Sequence, residues 1–365
     1  MLTYEFRLYC SRHTKHLDAM LCEAAYVWNR ALALQRRYYA LTGKHISCSR
    51  MKAYFAKRNK RTLLHSQTVQ EILERQETAY DCFFKRLAKR PPKFRKASRF
   101  RSFVFKQGGF RLYGNEFIVN RIGRRYRFSY SRPVEGKPKQ VRVLRTPLGE
   151  YRLYIVTDAC ASPCRKSHDG ASVGFDFGLK VFLTGSDGTR VDCPLFLKQG
   201  LGELRRASRR LSRCVKHSNN WYRRKAELDR IHERIANRRD DWQWKLAHHL
   251  CRRYDTICIE DLDMRGMSRL WGRKVHDLAF GRFVEKLKHV ASKYGVVVHE
   301  VNRFYASSKT CGHCGFVNKG LALRDRIWIC PECGAVLDRD FNAACNICRR
   351  GIADLGSTCK TRVAG

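Results

Sequence analysis

The sequence predicts a chain of two parts. The first is a β-rich barrel or sandwich carrying a small helical lobe, and the second is an α/β domain with an at least partly parallel sheet. Three observations carry this. Apolar spacing changes from three-and-four to two near residue 94, strands alternate with long helices after residue 171, and two CxxC knuckles stand late in the chain. With 365 residues, 44% of them hydrophobic, the chain exceeds the usual single-domain size and can fill more than one core.

The opening stretch "MLTYEFRLYC" alternates as a short strand. Leu17, Met20, Leu21, Ala24, Trp28, Ala31 and Leu34 then recur at helical spacing, with Gly43 as a stop. Val69, Ile72, Leu73, Tyr80, Phe83 and Leu87 repeat the pattern up to Pro91-Pro92. These two helices, with the basic stretch between them, form the predicted helical lobe over 11–93. From 94 to 165 "SFVFKQ", "FRLYGNEFIVN", "RRYRFSYS", "KQVRVL" and "EYRLYIVTD" read as strands separated by Gly114-Asn115, Gly123 and Pro147-Leu148-Gly149. The strand at 1–10 is expected to join them.

After "SPCRKSHDG", the segment "ASVGFDFGLKVFLTGSDG" reads as strand, tight turn, strand. Leu201, Leu204, Leu211 and Val215 keep a helical stripe, "HSNN" breaks it, and Trp221, Leu228, Ile231, Ile235, Trp242, Leu246 and Leu250 resume it. This predicts a helical hairpin over 200–252 with Arg- and Lys-rich outer faces. A strand in "YDTICIEDL", a helix in "FGRFVEKLKHVASKYG" and a strand in "VVVHEV" complete the α/β pattern.

Charge narrows the partners. The chain holds 74 Lys and Arg against 33 Asp and Glu, a formal +41, and an excess this large repels itself unless a polyanion neutralises it. The densest stretch, "KRLAKRPPKFRKASRFR", has nine basic residues, no acid and two interleaved phenylalanines, the composition that suits phosphate contacts with base stacking. Its Lys93, Arg95, Lys96, Arg99 and Arg101 are the candidate nucleic-acid contacts, with Arg324 as a further candidate at the scissile phosphate. No apolar run approaches the ~18 residues of a membrane span, and "MLTYEFRLYCSRH" does not read as a signal peptide. Seventeen cysteines without a disulfide framework fit a reducing cytoplasm.

Cys311-x2-Cys314, then fifteen residues, then Cys330-x2-Cys333 is the spacing of a tetrahedral thiolate site for one structural zinc, with both pairs in glycine-containing turns. Four thiolates leave no position for a catalytic water. Cys345-x2-Cys348, within a helical stretch, reads as packing, and Cys160-x3-Cys164 carries little signal. Three carboxylates stand among apolar neighbours where a strand or helix would hold them: Asp176 in "GFDFG", Glu260 ending "TICIE", and Asp340 opening "FNAACNI". Singly, Asp340 reads equally well as a helix N-cap, Asp176 as a turn residue, and Glu260 with Asp261 as a solvated strand end. Together, acids from two strands and a helix form the donor set for two Mg²⁺ ions acting on a phosphodiester.

These motifs resemble, in order along nearly the whole chain, the TnpB family encoded by insertion sequences, compact relatives of type V CRISPR effectors. "FRLYCSRH", "YVWNRALALQRRYYALTGK", "SQTVQEILERQETAYDCFFKRL", "PPKFRK", "GFDFGLK", "SNNWYRRKAELDRIHERIANRRDDW", "IEDLDMRGM", "SSKTCGHCG" and "CPECGAVLDRDFNAACNI" carry the likeness. The resemblance implies a RuvC (RNase H-like) nuclease domain over 166–306 and 338–365 with the hairpin as lid, and an inserted zinc ribbon over 307–337. It also implies a β-barrel wedge over 1–10 and 94–165 and a recognition lobe over 11–93. By motif position the catalytic, Mg²⁺-binding acids are Asp176, Glu260 and Asp340, with Asp338 a neighbour. The implied partners are a guide RNA from the mobile element, one protein per RNA, and double-stranded target DNA beside a short flanking motif. Phe in "GFDFGLK" replaces the usual Ile and Leu, and Asp263 the common Asn, without removing an acid. The alternatives are a strand-transfer transposase, and a non-catalytic zinc-ribbon regulator, against which the intact acids count. No GxxxxGK[ST] loop occurs, so ATP-driven remodelling is excluded.

Overall fold

The computed structural model describes residues 1–9, 14–58, 63–120, 122–159, 171–262, 266, 272, 275, 277–322 and 324–362, with side chains up to 356 in the last helix. The expected boundaries at 10/11 and 165/166, Cys160, Cys164 and Asp263 lie outside these residues. The chain divides into two compact units, Met1–Cys160 and Ala161–Gly365.

In the first unit, β1 (Leu2–Arg7) leads into α1 (Thr14–Thr42), α2 (Cys48–Arg58) and α3 (Ser66–Phe84). Helix α1 buries Leu17, Met20, Leu21, Ala24, Trp28 and Ala31, the stripe set by their spacing. Helix α2 falls in the basic stretch for which no helix is expected. Its only buried side chains are Met51 and Phe55, one turn apart, too few to make a stripe legible. Strands β2 (Ser102–Lys106), β3 (Phe110–Tyr113), β4 (Glu116–Val119), β5 (Arg124–Arg127), β6 (Pro138–Arg145) and β7 (Tyr151–Thr157) follow.

They form two antiparallel sheets, β1-β7-β6-β2 and β3-β4-β5. The opening strand pairs along its full length with β7, as its alternation predicts. The sheets meet at one corner, where Leu8 bridges Phe128 and the Ser129 amide donates to the Arg7 carbonyl at 2.8 Å. Among the described residues no ladder joins β2 to β3, so the barrel is open on that side. One apolar core runs through the helices and both sheets, centred on Trp28, Phe103, Phe105, Phe117 and Leu153.

The second unit is built on a five-stranded sheet in the order β10-β9-β8-β11-β12. Here β8 (Ser172–Phe177), β9 (Val181–Gly185) and β10 (Arg190–Asp192) are antiparallel, whereas β11 (Thr256–Glu260) and β12 (Val297–Val301) run parallel to β8. Between β10 and β11 stand α4 (Phe196–Ser212) and α5 (Asn219–Arg253), the expected hairpin. Helix α6 (Phe280–Tyr294) precedes β12, and its Phe280, Phe283 and Leu287 enter the core with Phe182, Phe177 and Ile257. A hairpin of β13 (Ile327–Ile329) and β14 (Val336–Asp338) then delivers the chain to α7 (Arg339–Arg362). Among the described residues no helix is long and apolar enough to cross a membrane, and no described cysteine is in a disulfide.

Helix α7 lies across the sheet at unusually short range. A Cβ at Gly174 of β8 would collide with the Ala344 carbonyl oxygen and the Cys348 amide of α7. One at Gly351 of α7 would collide with the buried Cys258 of β11. Both positions need the bare backbone. We therefore expect Gly174→Ala to destabilise this unit by about 1–3 kcal/mol, the usual cost of overpacking. Its Tm would fall by roughly 2–4 °C per kcal/mol; a melting curve superimposable on that of the parent chain would contradict this packing.

Candidate active site and metal centre

The close contact decides where the acids point. Side chains alternate along a strand, so Asp176 shares the face of Gly174 and Glu260 shares the face of Cys258. Both faces are the ones covered by α7. Strands β8 and β11 are parallel neighbours in register, Phe175 opposite Ile259, which brings the two acids to the same level. Asp340 begins the stripe of α7 that continues through Ala344 and Cys348 to Gly351, at helical spacing. The sheet and the helix thus present all three acids to one place.

Their electrostatics agree. Burial, then the charges of Glu260 and Asp340, push the Asp176 carboxyl up to about 8, while Arg339 and Arg326 oppose the shift. Burial, then Asp261, raises Glu260. Among the described residues neither the Asp176 nor the Glu260 carboxylate has a hydrogen-bond or ion-pair partner. Asp261 does: Arg303 donates to its Oδ2 from Nε at 2.9 Å, so it is not free to act with its neighbour. Two half-buried carboxylates without partners, repelled by a third, form a site that calls for cations. Their hard oxygen donors fit Mg²⁺. The three do not draw together as tightly as ligands of a single ion, because Asp340 is held elsewhere: Arg326 donates to both of its oxygens at 2.9 Å.

Asp340 is not the helix cap. That role belongs to Asp338, whose Oδ1 accepts from the amides of Asp340 and Phe341, both at 3.0 Å, while its Oδ2 takes Arg190 at 3.1 Å. A cap at Asp338 leaves the Asp340 carboxylate available. Arg324 does not reach the acids. Its side chain is 91% exposed and lies 3.9 Å from Asp325. Arg326, two residues on, is the side chain that meets Asp340, and nothing in the local sequence pattern sets it apart from Arg324.

The metal centre is better defined. Among the described residues, Cys311, Cys314, Cys330 and Cys333 are the one group of three or more metal-type ligands whose donor atoms lie within 4.8 Å of one another. Two edges measure 3.7 Å (Cys311–Cys333) and 3.6 Å (Cys314–Cys330). Four sulfurs about 2.3 Å from a central ion would be spaced about 3.8 Å apart, so the set fits tetrahedral zinc. Burial acts to raise the Cys311 thiol, but the amides of Cys314 and His313 and the neighbouring sulfurs bring it down to about 7, towards the thiolate a metal needs. His313 lies outside the sulfur set.

A clasp joins this centre to α7. The Gly312 amide donates to Asn342 Oδ1 at 2.9 Å, Asn342 Nδ2 donates to the Thr310 carbonyl at 2.7 Å, and Asn346 Nδ2 donates to the carbonyls of Ser307 and Thr310. Arg349 donates to the Gly312 carbonyl. Both asparagines are buried. Positions 342, 346 and 349 form a polar stripe on a largely apolar helix, a legible but unread signal. The first knuckle therefore grips α7 through side chains, while the second leads into it along the backbone through β14.

In the first unit the basic stretch is pinned along α1. Trp28 Nε1 donates to the Lys93 carbonyl at 3.1 Å, and Asn29 bonds the backbone of Arg95 at 2.8 and 2.9 Å. Lys93, Lys96, Arg99 and Arg101 are exposed. Arg95 lies over the Trp28 ring at 4.3 Å, and burial, then Arg75, lowers its pKa. With Arg75 and Arg142 it lines an open groove of about 530 Å³.

The fold of this chain is similar to that of solved RNA-guided endonucleases. Cas12f1, solved with single-guide RNA and target DNA, superposes with a TM-score of 0.61 over 92% of this chain and 83% of its own, at 16% identity. The mini-RNA-guided endonuclease Cas-phi3 does so at 0.53 over 96% and 92%, at 12% identity. Residues 154–270 match the OrfB_IS605 family, described as "Probable transposase", and residues 280–347 match the "Cas12f1-like, TNB domain". A "Putative RNA-guided DNA endonuclease" of Streptomyces pristinaespiralis is 32% identical over 79% of this chain and 72% of its own. InsQ of Escherichia coli K12, which carries the same description, is 30% identical over 90% and 87%. The chain belongs to the TnpB family.

If the clasp transmits metal occupancy, Cys330→Ser will lose the metal and Asn342→Ala will keep it. Hydrogen exchange over 340–347 will accelerate in both by about tenfold or more, the loss of one or two buried hydrogen bonds. Unchanged exchange in the metal-free variant would show that the knuckles do not hold α7.

Proposed function

We propose that this protein is an RNA-guided DNA endonuclease of an insertion sequence, in which Asp176, Glu260 and Asp340 are the catalytic acids. The observation that carries the proposal is their convergence beneath α7, with Asp176 and Glu260 left without partners. The names of the relatives support it. So does the sheet, antiparallel on one side of β8 and parallel on the other, which suits the RuvC-like assignment of 166–306 and 338–365.

Two Mg²⁺ ions, when bound, supply an activated water and a counter-charge for the leaving 3′ oxygen of a phosphodiester. The chain does the rest. Asp176 and Glu260 hold their oxygens at fixed positions on adjacent strands, and Asp340 faces them from a helix start that zinc and Asn342 keep in place. Arg326, which pairs with Asp340, would be available to a bound phosphate if cations took its place. Selection of the target falls to base pairing with the guide, leaving the protein to read duplex shape and a short flanking motif. The open barrel and helices of the first unit are assigned as wedge and recognition lobe. There Lys93, Arg95, Lys96, Arg99 and Arg101 meet phosphates and Phe94 offers a stacking face, in a particle of one protein and one RNA within the prokaryotic cytoplasm.

The test begins with sequencing RNA that copurifies when the gene is expressed with its native flanking DNA, then programming cleavage with it. A discrete RNA extending past the element boundary, and cutting that follows its guide, are expected. Asp176→Asn should bind the same RNA and lose cleavage by more than about a hundredfold, since even the outer partners of metal ligands are worth about 10- to 100-fold. Undiminished cutting by that variant would remove Asp176 from the reaction.

A further inference from the structure

The hairpin of α4 and α5 reaches far beyond the sheet in which it is rooted. At its root Trp242 packs on Phe182, ring centroids 4.9 Å apart, and Gln243, Ala247 and Leu250 are buried. Helix α5 runs unbroken from there back to Trp221, which at 1.5 Å per residue makes an arm of about 30 Å. Midway, Leu204, Ala207, Ile231 and Ile235 form a small core between the two helices.

The tip has a different construction. His217, Trp221 and Tyr222 cluster there, with ring centroids 5.4, 6.1 and 5.1 Å apart, and His217 Nδ1 lies 3.3 Å from the Tyr222 hydroxyl. His217 has a φ of 69°, the left-handed region where glycine is the unstrained residue, so its ring is retained against a conformational cost. Ser218 caps α5 by accepting from the Trp221 amide at 3.1 Å, which fixes the backbone under the rings. Yet Tyr222 remains 54% exposed. An aromatic cluster built for packing would not be left in solvent in this way.

Charge surrounds it. From Leu204 to Ala226 there are nine Arg and Lys residues and no acid. Arg210 and Arg224 pair with Glu227, and Lys225 pairs with Asp229. Among the described residues, Arg213, Lys216 and Arg223, which flank the rings, have no carboxylate partner.

We propose that this tip is a stacking platform for an unpaired nucleotide. A base lies on the exposed Tyr222 ring, with His217 at its edge, and Arg213, Lys216 and Arg223 hold the adjoining phosphates. Every base offers a π-face and every nucleotide a phosphate, so the site tolerates any sequence, as a guide-programmed protein requires. The arm sets the contact about 30 Å from the sheet along α5, roughly nine nucleotides of duplex at 3.4 Å each. This proposal rests on nucleic acid being the partner but not on the three acids, so failure to cleave would leave its test unaffected.

The test is ultraviolet crosslinking of the full chain, first with the RNA that copurifies and then with added oligothymidine dT20, followed by mass spectrometry of the peptides. Nucleotide adducts are expected within 217–222. A uridine adduct identifies RNA as the source and a thymidine adduct identifies single-stranded DNA. Tyr222→Phe should keep the adduct, whereas Tyr222→Ala and the Lys216→Ala/Arg223→Ala pair should lower its yield about tenfold, the worth of one stacked base. Adducts elsewhere in the chain with none at 217–222 would overturn the proposal, as would equal yields from Tyr222→Ala and Tyr222→Phe.

Discussion

The backbone of α7 touches the backbone of β8 at Gly174, and the rest of the site depends on that contact. Where two main chains meet with no side chain between them, their separation is set by atomic radii and not by rotamers. Gly351 gives a second close approach, there of the helix backbone onto the buried side chain of Cys258 in β11. Two anchor points fix both the height and the tilt of the helix over the sheet. Asp176 is two residues from the first anchor, and Glu260 is two residues from the partner of the second. The positions of all three acids are then consequences of packing, and they are held without any bond between the acids themselves.

The zinc ribbon adds a third constraint from the side. Its first knuckle meets Asn342 and Asn346 one turn and two turns into α7, and its hairpin carries Arg326 to Asp340. With zinc bound, the four cysteines would be held stiffly, and so would their grip on the helix start. The ribbon thereby supplies a mechanical hold and a positive charge at the same acid. That charge matters because three carboxylates share a half-buried site, and Arg326 and Arg339 reduce the repulsion on Asp176. A formal +41 spread over the chain suits a polyanionic partner, and the small acidic centre within it suits the cations proposed above.

Much of this was legible in the sequence because it is periodic or strictly spaced. Strand β7 alternates buried and half-buried positions along its length, and α1 keeps its stripe, so both announce themselves. The cysteines are fixed by the spacing that a tetrahedral ion imposes. The acids stood out because apolar residues flank them. What was hidden had other causes. Helix α2 buries only Met51 and Phe55, so it carries no stripe. In "DRD" both aspartates suit a helix start, and only hydrogen bonds separate the cap, Asp338, from the acid paired with Arg326, Asp340. Arg324 and Arg326 stand two residues apart just before a short hairpin, and only the folded chain shows which of them meets Asp340. The groove lined by Arg75, Arg95 and Arg142 joins residues from α3, the basic stretch and β6, a meeting that no local pattern records.

The proposed catalytic role requires Asp176, Glu260 and Asp340 to act as one cation site shaped by α7. The most direct measurement is anomalous scattering from crystals of the RNA- and DNA-bound protein soaked in Mn²⁺. Two peaks about 3.5–4 Å apart, ligated by Asp176, Glu260 and Asp340 with Arg326 withdrawn from Asp340, are expected for a paired-ion phosphodiesterase. A map without manganese at these residues, with Arg326 still on Asp340 while the DNA is bound, would contradict it.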